Sequence, residues 1–306
     1  MKKATEIKYP HSANLFQFCR RVLDHKFGGI RVIDQDVGQI LGFDPADCSH
    51  WKKGKKNIRS IQAMKSIAEH LGIDERLVVD VAAGELDDTE AFYEYSGYGA
   101  FTVDSKIFES AKKDFFRRNS GQWTKDRELE FKDQFTANEP FIDEIVTRIH
   151  TKINFQEAPL YLPEVVAAYP DLVLMPVQSP KDSKQFADQP VIVTHEEKKT
   201  FISYIAGSEV RPYIRYRIAK AMAEYFLQDI IARSTLELSD YAQHMIDVQS
   251  NVFAAKLLVP LNILRKEMAQ ITPSKDVVSQ LSDIFWVSKT FVNRRIKDIL
   301  QGQVAL

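Results

Sequence analysis

The sequence predicts a mainly α-helical protein with a small β-sheet, which is an α+β fold. Apolar residues recur at helical spacings of three and four over most of the chain, as in the run from Ile61 to Leu71. Three short apolar runs, LVLMPV (172–177), VIVT (191–194) and FISYIA (201–206), favour strands instead, and prolines mark the loops around them. The length of 306 residues is enough for two or three domains.

The composition is typical of a globular protein, with 44% hydrophobic and 27% charged residues. No apolar stretch is long enough to span a membrane, and the N-terminus MKKATEIKYPHS lacks the apolar core of a secretory signal. We therefore expect a cytoplasmic location and no membrane partner. The two cysteines, Cys19 and Cys48, stand among apolar helical positions, where we expect them to be buried.

Charge is distributed unevenly along the chain. Residues 1–60 contain twelve Lys and Arg against six Asp and Glu, a net charge of +6, whereas the whole chain carries −1. This polarisation predicts that the N-terminal part binds a polyanion.

The first predicted helix of this basic region follows Asp34. Its core side is formed by Val37, Ile40 and Leu41. Gly42 ends it, because glycine readily adopts the left-handed conformation that closes a helix.

A second helix is predicted to begin at Asp44, whose carboxylate can cap it and is followed by a proline at the first helical position. Asp47, three residues on, can complete a capping box. The buried side then consists of Cys48 and Trp51, and Gly54 ends the helix.

The third predicted helix has an apolar face at spacings of three and four, formed by Ile61, Met64, Ile67, Ala68 and Leu71. Gly72 closes this helix. Asp74 then caps a fourth.

The segment QDVGQILGFDPADCSHWKKGKK (35–56) resembles the helix-turn-helix of XRE-type, phage-repressor-like regulators. The residues that carry the resemblance are Gln35, Gly38, Gly42, Ser49, Trp51, Gly54 and Lys55. Gly38 is expected where the two helices cross closely. The sequence departs from the pattern at Lys52, which replaces an acid and makes the segment more basic, and at Cys48, which replaces a branched aliphatic residue.

The resemblance implies that the second helix lies in the major groove of double-stranded DNA. The residues expected to face the bases are Pro45, Ala46, Asp47 and His50. Those expected at the phosphates are Gln35, Ser49, Lys53, Lys55 and Lys56, with Lys52 adding positive charge. Asp47 would accept from cytosine N4, and Ala46 would contact a thymine methyl group. The alternative is that KKGKK is a solvated turn and that Trp51 serves only the core.

The C-terminal part resembles the ImmA/IrrE family of zinc metallopeptidases from about residue 139 to residue 300. The residues concerned are the run FIDEIVTRIHTKINFQEAPLYLPEVVAAYPDLVLMP, the helix YRIAKAMAEYFLQD (216–229), the segment NVFAAKLLVP (251–260) and the closing DIFWVSKTFVNRRIKDI. The resemblance implies a metallopeptidase-like α+β domain.

The family's H-E-x-x-H motif is absent from that helix. Carried over by position, the two zinc-binding histidines fall on Lys220 and Glu224, the general base falls on Ala221, and the acidic third ligand falls on Asp247. An ammonium does not coordinate a dication, and alanine does not transfer a proton. We therefore expect no catalytic residue, no bound metal and no cofactor.

Lys220 and Glu224 stand four residues apart on one helical face. One hypothesis is that the ammonium of Lys220 lies between Glu224 and Asp247 and replaces the metal's charge. The alternative is that both side chains are solvated. His195, expected in a loop, and His244, three residues before Asp247, offer only weak metal-binding patterns.

The expected organisation is a helix-turn-helix bundle over residues 1–86, a bridging aromatic segment over 87–137 and the pseudo-peptidase domain over 138–306. The aromatic residues of 89–123 supply either a dimer contact or ordinary core. We expect a homodimer, because a single module reading one half-site binds weakly.

The sequence thus predicts a DNA-binding transcriptional regulator whose second domain senses a small-molecule or protein effector, binds a partner or dimerises. Two alternatives stay open. One is a protein-binding factor of the antitoxin or antirepressor kind, and the other is an active metalloprotease with altered ligands. Fold analogy does not choose between them, because function resides in sites.

Overall fold

A computed structural model describes residues 7–28, 30–97, 101, 103–118, 125, 139–177, 190–205, 211–228, 239–272 and 276–304. Within these residues the fold is mainly α-helical with a small three-stranded sheet, which confirms the predicted class. The chain divides into two compact units, Met1–Tyr98 and Gly99–Leu306. In the described part of the chain, no helix has the length and apolar character needed to cross a membrane.

The first unit is a helical bundle. Its helices are α1 (Pro10–Lys26), α2 (Asp34–Leu41), α3 (Pro45–Lys52), α4 (Ile61–Leu71), α5 (Glu75–Ala83) and α6 (Asp88–Ser96). Helix α1 packs against all five others, so its buried face, which includes Leu15, Phe16 and Phe18, forms the centre of the core.

Most of the predicted helix boundaries in this unit are confirmed. Gly42 closes α2 in the left-handed region, with φ 72°. Asp44 caps α3 by accepting from the backbone N–H of Ala46 at 2.8 Å. Gly72 and Asp74 end α4 and cap α5 as predicted.

Two capping predictions are wrong. Asp34 does not precede α2 but is its first residue, and the N-cap is Ile33. The Asp34 carboxylate instead lies 2.5 Å from the Lys52 ammonium. Asp47 forms no capping box, because its carboxylate pairs with the ammonium of Lys56.

Trp51 connects α3 to α1. Its side chain is fully buried and lies edge-on to Phe16, with ring centroids 5.1 Å apart. The indole Nε1–H donates to the backbone carbonyl of Ser12 at 2.6 Å, so the one polar atom of the ring is satisfied. The hydroxyl of Ser12 accepts in turn from the N–H of Ile58 at 2.9 Å.

Helices α2 and α3 meet at Gly38. A Cβ at this position would lie 2.8 Å from the Sγ of Cys48 and 3.0 Å from the carbonyl oxygen of Phe43. These separations are shorter than van der Waals contact, so the helix pair requires glycine here. Cys48 and Cys19 are both buried free thiols, as predicted.

Helix α6 packs within the first unit, although its residues fall in the predicted bridging segment. Arg21 of α1 contacts Asp88 at 3.3 Å and Thr89 at 2.9 Å. The rings of Phe92 and Tyr95 each lie 5.8 Å from that of His25. These contacts explain why the boundary between the units lies near residue 98.

The second unit combines helices with a sheet. Its helices are α7 (Ser105–Arg118), α8 (Glu139–Lys152), α9 (Leu162–Ala168), α10 (Pro212–Phe226), α11 (Ser239–Leu258), α12 (Leu261–Gln270), α13 (Val277–Phe285) and α14 (Lys289–Val304), and its strands are β1 (Leu172–Val177), β2 (Val191–Glu196) and β3 (Lys199–Ile205). The three predicted strands are confirmed, and β2 continues two residues beyond its predicted end.

The sheet has the order β1-β3-β2, with β1 parallel and β2 antiparallel to β3. In the described part of the chain, β2 is therefore an edge strand. Helix α10 packs against β2 and β3 on one side and against α11 on the other. This arrangement places the helix that carries Lys220 and Glu224 between the sheet edge and α11.

Helix α7, which also falls in the predicted bridging segment, packs on α11. Ala111 is buried with Tyr241 and Met245, and Phe108 and Phe115 pack against them. Phe92 and Tyr95 of α6 and Phe108 and Phe115 of α7 thus contribute to packing inside their own units. Tyr98, Trp123 and the side chain of Phe116 lie outside the described residues.

Candidate functional site

Two places in the structure gather the residues that the sequence singled out. The first is the helix pair α2 and α3, joined by residues 42–44. Pro45, Ala46 and His50 are exposed, while Asp47 and Ser49 are half-buried. The N-terminal turn of α3 therefore presents its side chains to solvent, as a recognition helix must.

The lysines after α3 fall into two classes. Lys53 and Lys55 are exposed and form no salt bridge with any described residue. The backbone N–H groups of Lys55 and Lys56 both donate to the carbonyl of His50, at 2.8 and 3.3 Å, so the turn holds a defined shape. Lys53 and Lys55 are thus the cations best placed to meet an external anion.

Lys52 and Lys56 are paired inside the unit. Lys52 donates to Asp34, which also has Arg20 at 3.9 Å, and Lys56 pairs with Asp47. Either lysine would contact a phosphate through an N–H that its carboxylate partner does not use, and that carboxylate would repel the phosphate. Asp47 has a second carboxylate oxygen that could accept from a cytosine while the first stays paired with Lys56.

Gln35 is exposed in the first turn of α2. The N-cap, Ile33, supplies no side-chain acceptor, so the first backbone N–H groups of α2 lack a capping partner from that residue. Asp34 lies in the same turn and would repel a phosphate, but its ion pair with Lys52 offsets that charge.

Charged residues are unevenly distributed within the first unit itself. Residues 1–60 carry +6, whereas residues 61–98 contain two Lys or Arg against nine Asp or Glu, a net charge of −7. A polyanion would therefore be attracted to the part that contains α2 and α3 and repelled by the part that contains α4 to α6.

The second place is a cleft of about 280 Å³ beside α10. The four positions carried over from the metallopeptidase motif, Lys220, Ala221, Glu224 and Asp247, all line it. Residues 191–193 of β2 form another wall, which brings the edge strand next to these side chains.

A hydrogen-bond network extends from the cleft residues Lys220 and Asp247 to two buried side chains. The Lys220 ammonium donates to one carboxylate oxygen of Asp247. The other oxygen accepts from the side-chain amide of Asn251 at 3.2 Å, and the Oδ1 of Asn251 accepts from the hydroxyl of Tyr216. Asn251 and Tyr216 are buried, with 0% and 1% exposure, so the network anchors the ion pair to the crossing of α10 and α11.

Glu224 pairs with a histidine rather than with Lys220. Its carboxylate lies 3.5 Å from the Nε2 of His195, whose Nδ1 is 3.2 Å from the hydroxyl of Thr200. The prediction that His195 lies in a loop is wrong, because the residue belongs to β2, where it faces Thr200 across the ladder. The ammonium is therefore held by Asp247, while Glu224 has a separate partner.

This donor set does not fit a zinc ion. The Lys220 ammonium cannot coordinate a cation, and it is bonded to the Asp247 carboxylate. Among the described residues, no group of three or more His, Cys, Asp and Glu is placed to hold a metal. His244 has a structural contact, because its Nε2 accepts from the N–H of Asp104 at 3.0 Å at the start of α7.

Sequence reasoning missed three residues that interact with the cleft lining, directly or through this network: Asn251, Tyr216 and His195. A local signal existed for two of them, because Asn251 follows Asp247 by four residues and Tyr216 precedes Lys220 by four. No local pattern predicts His195, since its contact with Glu224 depends on how the sheet edge packs on α10.

The chain matches no protein-family model, and no curated protein matches it significantly.

Proposed function

We propose that this protein is a sequence-specific, DNA-binding transcriptional regulator that acts in the cytoplasm as a homodimer. The first unit binds double-stranded DNA through α2 and α3. The second unit has the character of a peptidase-like domain without catalytic activity, which serves sensing, partner binding or dimerisation.

The observation that carries this proposal is the exposed first turn of α3, together with two exposed lysines after the helix that have no carboxylate partner among the described residues. Pro45 and Ala46 are exposed in the first turn of α3, His50 is exposed near its end, and Lys53 and Lys55 follow in the turn after it. Phosphate contacts supply most of the affinity of such modules, and side chains near the helix N-terminus supply the specificity.

The affinity that specific DNA binding requires favours a dimer. One short recognition helix contacts few base pairs, and specific binding at physiological salt requires an interface larger than that. Two copies on a palindromic site would double the phosphate contacts and space the half-sites by one or more helical turns.

The test is selection of genomic DNA fragments by the full chain, followed by affinity measurements at several salt concentrations. Binding should weaken steeply with salt, with a slope of about −0.9 for each phosphate contacted. The variant K53Q/K55Q should reduce that slope by about 1 for each of the two lysines that binds a phosphate, equally for all sequences. K266Q, which removes an exposed lysine of α12, is the matched control. No enrichment of any sequence by the wild type would refute the proposal.

Absence of peptidase activity is a separate part of the proposal. It is supported by Ala221, which offers no proton-transfer group, and by Lys220 at a ligand position. Metal content should be well below one ion per chain after purification in zinc-containing buffer, and the E224A variant should not change it. Stoichiometric zinc that disappears on that substitution would restore the metalloprotease alternative.

A protein-binding role is the second candidate, and the edge strand β2 favours it. Residues 191–193 line the cleft beside Lys220 and Asp247, so an extended peptide could add to the sheet there. A stable partner that co-purifies with the wild type, together with no selection of DNA, would favour this candidate over the regulator.

A further inference from the structure

A second cleft lies near the C-terminal end of α11, at Lys256, and the proposed function does not use it. Its volume is about 560 Å³, which is within the usual range for small-molecule sites. It is bounded by α8, the turn after α8, the start of α12 and one residue of α14.

The wall of this cleft contains two shielded cations. Arg295 of α14 is 4% exposed, and its Nε–H donates to the carbonyl of Val259 at 3.1 Å, which orients the guanidinium. The side chain of Lys256 is 13% exposed and lies 2.7 Å from Asp143 and 3.2 Å from Glu139. Those two carboxylates are 58% and 59% exposed.

Asp143 and Glu139 both pair with Lys256, so the Lys256 ammonium adds little positive potential to the cleft. Arg295 is the more deeply buried cation of the wall, and a buried charge is screened less by water and salt than an exposed one. An anion in the cleft would therefore have Arg295 as its cationic partner.

The start of α12 also favours an anion. Leu261 and Asn262, its first two residues, line the cleft, and the N-cap is Pro260, which has no side-chain acceptor. The first turn of α12, where a helix has free backbone N–H groups and the positive end of its dipole, thus lies beside the cleft.

The opposite wall supplies an acceptor and an aromatic ring. His150 of α8 has its Nε2 3.0 Å from the carbonyl of Leu257, so Nε2 carries the proton and Nδ1 is left as the acceptor in the neutral ring. Phe155 lies 4.9 Å from the His150 ring, and Asn154 reverses the chain with φ 53° to bring it there. The cleft therefore combines anion-binding donors with a flat apolar surface.

We propose that this cleft binds a small organic anion, bearing a carboxylate or a phosphate, as the effector of the second unit. The anionic group is held by Arg295 and the first N–H groups of α12, and the remainder of the ligand packs against Phe155. The term effector rests on the proposed regulatory function, but the binding site does not.

The test is calorimetric titration of the full chain with inorganic phosphate and with malonate, at constant ionic strength set with chloride. We expect saturable binding of at least one probe with one site per chain. Binding of phosphate alone indicates a phosphate-bearing effector, and binding of malonate alone indicates a carboxylate. If neither probe binds saturably, the site does not exist as proposed.

Two variants test the location. N262D places a carboxylate at the start of α12, where it favours the helix but repels an anion, and R295M removes the buried cation. Each should weaken binding at least tenfold. The control N293D places the same charge on an exposed position of α14 that does not line the cleft and should leave binding unchanged. Equal affinities in all four proteins, or equal weakening in N262D and N293D, would overturn the assignment.

DNA selection by the same protein separates this inference from the proposed function. Absence of DNA binding with intact anion binding refutes only the regulator. The reverse result refutes only the effector site.

Discussion

The ammonium of Lys220 and the carboxylate of Asp247 form an ion pair that joins α10 to α11. The side chains are 23% and 41% exposed, so the pair is partly shielded from water. Asn251 and Tyr216 continue the network into the buried crossing of the two helices. Charge at this position therefore has a structural role.

K220M should destabilise the full chain by about 1 kcal/mol, because Asp247 loses its cation while remaining bonded to Asn251. Urea denaturation of K220M, D247N and the double variant measures the coupling of the pair. The coupling energy should be similar to the cost of K220M, about 1 kcal/mol, since D247N also removes the charge that the ammonium balances. Additive effects would mean that the two groups do not stabilise one another.

G38A should destabilise the first unit by roughly 1–3 kcal/mol, because the new methyl group overlaps the Sγ of Cys48. Hydrogen exchange of peptides from α2 and α3 in the full chain reports this effect locally. C48A removes the sulfur that the methyl group meets, so G38A should cost less in the C48A background than alone. G97A separates backbone strain from steric overlap. Gly97 has φ 76°, and no heavy atom lies within 4 Å of a Cβ added there, so G97A measures the cost of the strain alone.

Local signals in the sequence predict most element boundaries. Gly42, Gly72, Asp44 and Asp74 act on backbone groups within four residues, so their roles are visible in the linear chain. The prediction for Asp47 is wrong for a different reason. Its position fits a capping box, but Lys56 approaches it only once the turn after α3 has formed.

The residues of the candidate sites also divide into those that local spacing predicts and those that it does not predict. Helical spacing brings Lys220, Ala221 and Glu224 to one cleft, and this was predictable. The pairing of Glu224 with His195 was not, because it depends on the packing of β2 against α10. The pairing of Lys52 with Asp34 joins two helices in a similar manner and has no signal in either helix alone.

His150 should make the second unit less stable in mild acid. Burial lowers the pKa of His150 below its ordinary value of 6.5, and its hydrogen bond to Leu257 opposes this only in part. In the unfolded chain the imidazole binds a proton near its ordinary pKa, whereas in the folded chain it binds one only at lower pH. The stability that depends on neutral His150 is therefore fully present above pH 6.5 and is lost as the pH falls below that value. Below the folded-state pKa of His150, a further drop in pH causes no further loss of unfolding free energy from this group.

Urea denaturation between pH 7.5 and 5.5 checks this expectation by comparing the wild type with H150Q, whose amide can still donate to Leu257. The wild type should lose more unfolding free energy over that range than the variant. Parallel pH profiles would assign the acid sensitivity to other groups. H70Q changes an exposed histidine of the first unit and is the matched control.

R215K should destabilise the chain by about 3 kcal/mol, which is the range for breaking a buried charged network. Arg215 is 2% exposed, and its guanidinium donates to the carbonyls of Leu160, Phe285 and Trp286, so one side chain ties α10 to the loop before α9 and to the turn after α13. Burial lowers the pKa of Arg215 to about 10, still far above neutrality, so the group remains charged when buried. A lysine ammonium is a compact donor that cannot reach three carbonyls in the planar geometry of a guanidinium, so at least one buried acceptor would be without its partner.

The control is R217K, two residues along the same helix. Arg217 is only half-buried, so this substitution should cost less than about 1 kcal/mol of unfolding free energy. Urea denaturation of both variants measures the difference, and equal destabilisation by R215K and R217K would show that the three hydrogen bonds to carbonyls do not stabilise the fold.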